Sequence, residues 1–293
     1  MFRYLLIGLA ATLVVAASCM AYGFLIEPKR LFVREVLIES PAARAPLRVG
    51  LLADIHGGGR HVYARKVREV VEAVGAASPD IILIAGDFTV GSPAYADRSA
   101  GERAAIDAAH AELARLDAPL GVYAVLGNHD HTFGTSLTRT RMERLGLRMI
   151  DNAVVDLGEV CVIGLADEWH GRPDPTVERD CPDDRTRLVV AHNPDTLFEL
   201  RRRHALLVAG HTHGGQINIP VLGRRVTATR AGRAYAYGAM TIAGSPAFVT
   251  AGVGTSVLPA RFRAPPEVVL IDLRPSPATR PETVPRPLDR APP

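Results

Sequence analysis

One stretch of the sequence, residues 206–216, limits what this chain can fold into more than any other. An apolar run of β-type residues stops at Gly210, and two histidines, His211 and His213, follow with one residue between them. In an extended segment, residues i and i+2 point to the same side, so both imidazoles can point at one place just beyond a strand end. The neighbouring glycines let the backbone turn sharply and approach a ligand closely. We therefore expect other strands to deliver side chains to the same place.

Apolar runs of the same kind recur along the chain, and most of them end in a polar side chain. We expect strands at 47–53, 81–85, 122–126, 160–165, 188–191 and 206–210. The side chains that follow their ends are Asp54, His56, Asp87, Asn128, His129, His192, His211 and His213. Apolar side chains at helical spacing in 62–77 and 99–116 predict helices between the first three strands. Such alternation indicates right-handed βαβ units in an α/β domain, in which ligands gather at the carboxyl ends of the strands.

The N-terminal residues 4–26 carry no charged side chain. As a helix rising about 1.5 Å per residue, they would cross a hydrocarbon layer of roughly 30 Å. A cleaved signal peptide is the alternative, but the apolar stretch exceeds the roughly 7–15 residues of such a signal. We therefore expect residues 1–30 to be a retained single-span anchor in the inner (cytoplasmic) membrane. The flank at residues 29–34 carries three basic residues against Arg3 on the other side, which favours a main domain on the cytoplasmic side.

Proline marks two further boundaries in the sequence. Residues 31–46, which contain Pro41 and Pro46, are expected to be a linker, and 47–274 to be the main domain. Residues 275–293 are rich in proline and lack apolar periodicity, which predicts a disordered tail.

Charge and cysteine content exclude several classes of protein. The formal net charge is only +3, without the basic footprint of a dedicated nucleic-acid-binding protein. The three cysteines form no CxxC pattern, so neither a disulfide framework nor a thiolate zinc site is indicated, although a Cys161–Cys181 bridge stays open. The sequence contains no HExxH, Walker A or GxSxG motif, so hydrolases that depend on those motifs have no support.

The side chains at the strand ends are suited to metal ions. The seven candidate ligands are Asp54, His56, Asp87, Asn128, His192, His211 and His213. Oxygen ligands mixed with imidazoles suit divalent cations such as Mn, Fe, Zn or Co, with Mn favoured, and seven are too many for one four-coordinate zinc. They suit two cations about 3.5–4 Å apart, which lower the pKa of a shared water to give a hydroxide nucleophile and neutralise phosphoryl oxygens. A departing alkoxide then needs a general acid off the metals, and His129 is the candidate.

The motifs that carry these side chains resemble the five-block signature of the calcineurin-like metallophosphoesterases. The blocks are Asp54-x-His56, Gly86-Asp87, Gly127-Asn128-His129-Asp130, His192 and Gly210-His211-x-His213, within residues 47–273. The resemblance implies a four-layer α-β-β-α sandwich. It implies one cation held by Asp54, His56 and His213, and a second held by Asn128, His192 and His211. It further implies that Asp87 bridges the two cations, that Asn128 and His129 face the substrate, and that Asp130 sets the orientation or charge of His129.

The anchor and the late run at 252–267 further resemble the membrane-anchored bacterial branch of that family. Some members of this branch are phosphodiesterases, and others cleave the pyrophosphate of UDP-2,3-diacylglucosamine. The expected function is therefore hydrolysis of a phosphodiester or pyrophosphate bond, with a lipid-linked substrate as one option. The alternative is a non-enzymatic scaffold on the same fold. Such scaffolds are expected to lose ligands, and none is missing here.

Five side chains outside the proposed ligand set also need an interpretation. Asp167 and His170 follow a strand and could border the substrate, although a surface role is favoured for both. His131 and Arg261 could contact phosphate. His110 falls within the second predicted helix, where we expect a structural role.

Overall fold

A computed structural model describes residues 2–224 and 226–276 and shows two six-stranded β-sheets together with a two-stranded hairpin. The α-helices are α1 (Phe2–Ala21), α2 (Ala64–Ala76), α3 (Ala100–Ala111) and α4 (Asn128–Arg144). The strands are β1 (Phe32–Ser40), β2 (Leu47–Leu52), β3 (Ile81–Ala85), β4 (Val122–Val125), β5 (Arg148–Met149), β6 (Ala153–Asp156), β7 (Val160–Gly164), β8 (Thr186–Val190), β9 (Leu206–Ala209), β10 (Asn218–Ile219), β11 (Gly223–Arg224), β12 (Gly238–Ile242), β13 (Ser245–Val249) and β14 (Glu267–Pro275). Short helical turns include Tyr22–Ile26, Glu27–Lys29, Pro175–Asp180 and Pro194–Glu199.

The two large sheets are built mainly from parallel strands. The first has the order β1-β14-β2-β3-β4-β5, in which β2, β3 and β4 run parallel and β14 is antiparallel to β2. The second has the order β12-β13-β9-β8-β7-β6, in which β13, β9, β8 and β7 are parallel. The predicted α/β alternation is confirmed. Because parallel strands end at the same edge of a sheet, the side chains that follow them share one location.

Three apolar layers hold the domain together. Fully buried side chains such as Leu51 and Val190 fill the space between the sheets. On the outer face of the first sheet, Val67 and the other apolar side chains of α2 lie on one stripe of the helix and pack on the strands. On the outer face of the second sheet, Leu197 of the turn Pro194–Glu199 takes that place. The α-β-β-α sandwich is thus confirmed, with short 3₁₀ turns covering the second sheet where the prediction had outer helices.

None of the residues of α1, all of them described, is buried against the rest of the chain. With the turns that follow, α1 forms a helical segment, Phe2–Lys29, that is long and apolar enough to cross a membrane. Gly23 and Glu27, near the end of this segment, are buried against the domain. The backbone N–H of Arg261 donates to the Gly23 carbonyl at 2.9 Å, and that of Ala264 donates to Glu27 Oε1 at 2.7 Å. The end of the apolar segment is therefore part of the folded domain.

The prediction of a linker at residues 31–46 is wrong, because β1 lies there and pairs in parallel with β14 over its whole length. Alternate side chains of β1, including Val36 and Ile38, turn toward the core between the sheets. This period of two is the signature of a half-buried strand, and the two prolines that follow it do not interrupt it. At the other end of the chain, β14 continues to Pro275, so the predicted tail begins within a strand, and residues 277–293 lie outside the described part of the structure.

Cys161 and Cys181 form a disulfide, although no cysteine motif indicated one. Cys161 lies in β7 on the outward face of the second sheet, and Cys181 follows the turn Pro175–Asp180 that covers this face. Both side chains are fully buried, and their Cα atoms are 6.1 Å apart. The pairing follows from how the chain covers this sheet, which the spacing of the two cysteines does not reveal.

Candidate metal centre

The polar side chains that follow the strands converge at one edge of both sheets. Within the first sheet, the N–H of Asp54 donates to the Gly86 carbonyl at 2.9 Å, and the N–H of His56 donates to the Asp87 carbonyl at 3.0 Å. From the second sheet, the N–H of His211 donates to the Asp54 carboxylate, at 3.1 and 3.0 Å from its two oxygens. These bonds hold the ends of neighbouring strands together and join the two sheets at the site.

Most of these residues have a left-handed backbone conformation. Positive φ angles between 49° and 68° occur at Asp54, His56, Asp87, His211 and His213. Non-glycine residues in sparsely populated regions of this kind are strained by about 1–3 kcal/mol each, and they cluster at functional sites. The chain turns at each of these positions directly after a strand, and the packed sheets hold the turns in place.

One group of candidate ligands is Asp54, His56 and His213, whose ligand atoms all lie within 4.8 Å of one another. His56 Nε2 is 3.2 Å from His213 Nε2, and His213 Nε2 is 3.7 Å from Asp54 Oδ1. His56 Nδ1 lies 2.9 Å from the Thr89 carbonyl, which can only accept a hydrogen bond, so this nitrogen carries the proton. That tautomer leaves the lone pair of His56 Nε2 directed at the other ligands.

A second group consists of Asp54, Asp87 and His192, with ligand atoms again within 4.8 Å of one another. His192 Nε2 is 3.4 Å from Asp87 Oδ2 and 3.0 Å from Asn128 Oδ1. His192 Nδ1 donates to the Ala85 carbonyl at 2.7 Å. The ring of His192 is therefore oriented in the same way as that of His56, with Nε2 turned into the cluster.

Asp54 belongs to both groups, and Asp87 of the second group also reaches the first, because its Oδ2 is 3.6 Å from His56 Nε2 and 3.4 Å from His192 Nε2. Nearby, His211 Nδ1 is 3.1 Å from His192 Nε2, and His211 Nε2 is buried without a hydrogen-bond partner among the described residues. Ring nitrogens that face one another this closely need a proton or a cation to share. Carboxylate, amide and imidazole donors in one cluster, one of them unpaired, fit a site for divalent cations.

Burial largely controls the charge of the cluster. It raises the pKa of the Asp54 carboxyl to about 8 and lowers the pKa of the His56 and His211 rings to about 4 and about 3. Burial would also raise the pKa of Asp87, but the nearby rings of His192, His56 and His129 together hold this pKa well below its ordinary value. Against the effect of burial, Asp87 in turn raises the pKa of His192 to about 10. His56 and His211 are thus neutral at pH 7, the form that binds metal, and a cation is the partner that would keep Asp54 ionised.

His129 lies beside the cluster, in the first turn of α4. Its backbone N–H donates to Asp87 Oδ1 at 2.9 Å, and its ring packs edge-on against His56 with 4.9 Å between ring centroids. His129 Nε2 is 3.3 Å from Ser256 Oγ. Both His129 and Asp87 line a cavity of about 630 Å³. A phosphoester held in this cavity would meet the cluster and the His129 ring together.

Comparison with known proteins assigns the family. The model of the calcineurin-like phosphoesterase family matches residues 47–215, which is more than half of the 293 residues. The chain belongs to this family.

Three relatives show how far the similarity extends. The chain is 28% identical to phosphodiesterase YaeI of Escherichia coli, over 90% of this chain and 97% of that protein. It is 26% identical to the uncharacterized metallophosphoesterase YkuE of Bacillus subtilis, over 91% of this chain and 94% of that protein. A transmembrane protein with a metallophosphoesterase domain from Danio rerio is 26% identical, over 70% of this chain and 49% of that protein. The chain is therefore a phosphoesterase, a hydrolase of phosphoester bonds from a family that uses divalent metal ions.

In this phosphoesterase Asp130, for which a role in setting the orientation or charge of His129 was expected, bonds to backbone on both sides of the turn that carries His129. Asp130 is fully buried, and its two oxygens accept the N–H groups of Gly127 at 2.9 Å and Thr89 at 3.1 Å. Burial, together with the charge of Asp87, raises the pKa of its carboxyl to about 7. Asp130 thus joins the start of α4 to the loop after β3, and it positions this turn without reaching the cavity.

Arg261 does not reach the cavity either, so the predicted contact with phosphate is corrected. Its side chain is fully buried, and the guanidinium donates to the carbonyls of Ala251 at 2.7 Å and Gly254 at 2.9 Å. The same guanidinium lies 3.4 Å from His213 Nδ1. Arg261 is therefore a buried charge that supports the loop behind His213.

The loop that follows β7 contributes to the site indirectly. Asp167, for which a surface role was favoured, is fully buried, and its Oδ2 accepts the N–H groups of Trp169 and His170, both at 2.9 Å. His170 is exposed, and its ring stacks on that of His131 with 6.0 Å between centroids. Trp169 packs edge-on against His211, with 4.5 Å between centroids, and lines the cavity. Asp167 thus borders the site by placing Trp169.

Trp169, Gln216 and Ser256 line the cavity but were not predicted. The Gln216 side chain donates to the carbonyls of Ser256 at 3.0 Å and Leu258 at 2.9 Å, and it accepts the N–H of Ser256 at 2.8 Å. The one available signal was Trp169, because it is the single tryptophan of the chain. Gln216 and Ser256 lie in loops whose contact depends on the tertiary fold.

Proposed function

We propose that this phosphoesterase cleaves a phosphodiester or pyrophosphate bond at a site for two divalent cations. The observation that carries the proposal is the position of Asp87, whose Oδ2 lies 3.6 Å from His56 Nε2 and 3.4 Å from His192 Nε2, one ring from each ligand group. A carboxylate shared in this way is what two cations about 3.5–4 Å apart require.

The candidate ligands divide into two sets around Asp87. Asp54, His56 and His213 would hold one cation, and Asn128, His192 and His211 the other. When bound, two such cations supply Lewis acidity toward water and phosphoryl oxygens. Because oxygen and imidazole donors are mixed and thiolates are lacking among these ligands, we favour Mn²⁺. The hydrogen bonds of His56 and His192 to backbone carbonyls would hold both rings in the tautomer that binds metal.

We assign the proton transfer to His129, which would protonate the leaving oxygen. Its ring lines the cavity, and its backbone bond to Asp87 Oδ1 fixes it beside the cluster while leaving Nε2 outside both ligand sets. Asn128, on the same turn, would face the substrate together with His129. A general acid positioned in this way contributes roughly 10²–10⁴ to the rate.

Much of the remaining cavity wall is apolar. The apolar side chains that line it include Trp169, Ile217, Ile219, Val226, Val257 and Leu258. A wall of this kind fits an amphiphile, with its phosphate at the ligands and its apolar part against these side chains. We therefore extend the proposal to a lipid-linked substrate. The similarity to phosphodiesterase YaeI supports the diester over the monoester.

The proposal is tested with the full-length protein in detergent, stripped of metal with a chelator. Bis(4-nitrophenyl) phosphate, 4-nitrophenyl phosphate and a lipid-linked pyrophosphate are offered before and after Mn²⁺ is added. We expect no turnover in the stripped protein, restored cleavage of the diester or the pyrophosphate with Mn²⁺, and none in Asp87→Ala. A folded protein that binds two cations but cleaves none of the three substrates would disprove the proposed reaction.

We propose that the apolar segment anchors the protein in the cytoplasmic membrane. The charge asymmetry that predicted a cytoplasmic domain is weakened, because Arg34 lies within β1 and donates to Glu267 at 2.7 Å. The buried Cys161–Cys181 disulfide instead supports an oxidising compartment, and hence the extracytoplasmic side. A C-terminal alkaline phosphatase fusion, which is active only outside the cytoplasm, distinguishes the two orientations.

A further inference from the structure

Exposed apolar side chains surround the mouth of the cavity. Val221 and Val257 are fully exposed, and Val226 is 77% exposed. We refer to the following set as the apolar rim: Ile219, Val221, Leu222, Val226, Val257 and Leu258. Scattered single apolar residues on a surface need no explanation, but several together around a cavity mark a surface that meets a partner or a membrane.

The apolar rim is built on two loops that are bonded to each other. β10 and β11 pair as a hairpin, and the tip of this hairpin carries Val221 and Leu222. The second loop carries Val257 and Leu258. Gln216, just before the hairpin, donates from its side chain to the Leu258 carbonyl at 2.9 Å, which joins the two loops into one surface.

The same surface is joined to the apolar N-terminal segment through Phe262. The Phe262 carbonyl accepts the N–H of Asn218, at the start of β10, at 2.8 Å. The Phe262 ring packs edge-on against Tyr22 with 6.3 Å between centroids, and the neighbouring Arg261 N–H donates to the Gly23 carbonyl at 2.9 Å. A single residue, Phe262, therefore contacts both the hairpin and the end of the membrane segment.

Basic residues lie next to these contacts. Lys29, the last residue of the apolar segment, and Arg30, which follows it, are exposed, as is Arg263 after Phe262. Basic side chains beside an apolar surface are attracted to the phosphate headgroups of a bilayer. Apolar side chains of the rim and these basic side chains thus lie next to one another, as on a protein surface at a lipid–water interface.

We propose that the apolar rim inserts into the surface of the bilayer that holds α1, so that the cavity opens at the lipid–water boundary. The bilayer is the occupant that the structure favours, since the contacts of Phe262 join the rim to the end of the membrane segment. The proposal does not depend on which phosphoester is cleaved. It goes beyond the anchor, because it fixes the orientation of the catalytic cavity toward the membrane.

The single tryptophan provides a native probe of this arrangement, because Trp169 lines the same cavity as Val226 and Val257. The full-length protein is reconstituted into phosphatidylcholine vesicles, with or without bromine atoms near the glycerol end of the acyl chains, and Trp169 emission is recorded. We expect brominated lipid to reduce the emission. The double variant Val221→Asp/Leu222→Asp, at positions that do not line the cavity, should reduce this loss of emission. Leu137→Asp, at an exposed apolar position on α4 away from the rim, should not.

Two outcomes would overturn the proposal. Equal emission of the wild-type protein in brominated and unbrominated vesicles would show that the cavity mouth lies away from the lipid. A dimer in detergent that Val221→Asp/Leu222→Asp converts to a monomer, with the lipid quenching unchanged, would show that the rim meets a second copy of the chain. Because the readout is the quenching of Trp169, these results stand apart from any failure of the proposed catalytic reaction.

Discussion

The backbone N–H of His129 donates to Asp87 Oδ1 at 2.9 Å, so the proposed proton donor is bonded to the carboxylate between the two ligand groups. The other oxygen of Asp87 is the one that lies near His56 and His192. Because a single carboxylate makes all of these contacts, the distance between His129 and the cluster is set by the fold itself. Substrate binding is not needed to bring them together.

This arrangement predicts that the effect of His129→Ala depends on the leaving group. For a diester with an alkyl leaving group, loss of the acid should reduce kcat by roughly 10²–10⁴. A 4-nitrophenolate leaves without protonation, so the reduction for bis(4-nitrophenyl) phosphate should be much smaller. Paired kcat measurements on the two substrates provide the check.

Ser256→Ala is the matched control for this experiment. Ser256 Oγ lies 3.3 Å from His129 Nε2, so its removal perturbs the same ring without removing the acid. It should lower both rates by a small and similar factor. If His129→Ala lowered kcat by the same factor on both substrates, the ring would contribute to substrate binding and not to proton transfer.

Close packing at Gly127 predicts that Gly127→Ala disables the cluster. An added Cβ would lie 2.2 Å from Asp87 Oδ1 and 2.6 Å from the Asp87 nitrogen, so the carboxylate must move. We expect Mn²⁺ content and activity to fall sharply. Gly75→Ala is the control, because a Cβ at that position in α2 meets no atom within 4 Å. It should leave activity unchanged and raise stability by roughly 0.4–1 kcal/mol. A fully active Gly127→Ala would show that Asp87 is free to move.

The strand ends were predictable because each apolar run is short, bounded by glycine and followed directly by its polar side chain. The hydrophobic pattern reveals a buried strand, and the motif marks where it ends, so Asp54 and His211 could be placed at one edge without coordinates. β1 was missed because its alternating pattern lies among prolines and follows directly on the apolar segment.

Other features of the site depend on contacts that no local pattern encodes. Arg261 was expected to contact phosphate, but its burial depends on carbonyls that turns of the folded loop direct toward it. Asp130 shares a motif with His129, and only the fold shows that it bonds to backbone and does not reach the cavity. Trp169 lies in a loop without a motif, and it reaches His211 because the buried Asp167 fixes that loop.

The pairing of β1 predicts that shortening the chain to residues 46–293 destabilises the domain. The truncation exposes the edge of β14 and removes Arg34, which bonds to the buried Glu267 at 2.7 Å. Compared with a chain of residues 22–293, we expect a melting temperature lower by more than about 4 °C, which in a domain of this size corresponds to roughly 1–2 kcal/mol. Circular dichroism melts of both chains give the comparison. Equal melting temperatures for the two chains would show that residues 31–46 act only as a linker and do not stabilise the domain.

The burial of the His110 ring predicts that the free energy of unfolding falls in acid. Its ring is buried, donates to the Phe88 carbonyl at 3.2 Å and lies near Arg141, which is itself paired with Asp107. Burial lowers the pKa of His110 to about 4 from an ordinary value of 6.5. Between these values the unfolded state binds the proton and the folded state does not. The contribution of the neutral His110 ring to the free energy of unfolding is therefore complete above pH 6.5 and is lost as pH falls toward 4.

The size of this effect is measured by comparison with His110→Gln, in which the amide N–H can still donate to Phe88. Between pH 7 and pH 5, the wild-type protein should lose about 2 kcal/mol more unfolding free energy than the variant. Chemical denaturation in detergent at both pH values gives this difference. The same acid sensitivity in both proteins would assign it to the other buried histidines.

The position of Asp87 also predicts that its carboxylate couples metal binding to stability. A ligand that binds only the folded state at about 100 times its Kd adds about 2.7 kcal/mol, so Mn²⁺ should raise the melting temperature of the wild-type protein by several degrees. In Asp87→Asn, both ligand groups lose the charge between His56 and His192, and this rise should disappear. Asp272→Asn, which removes a partly exposed carboxylate on β14, should keep it. If Mn²⁺ stabilised Asp87→Asn as much as the wild-type protein, the cations would bind without Asp87, and its position between the two groups would have no part in holding them.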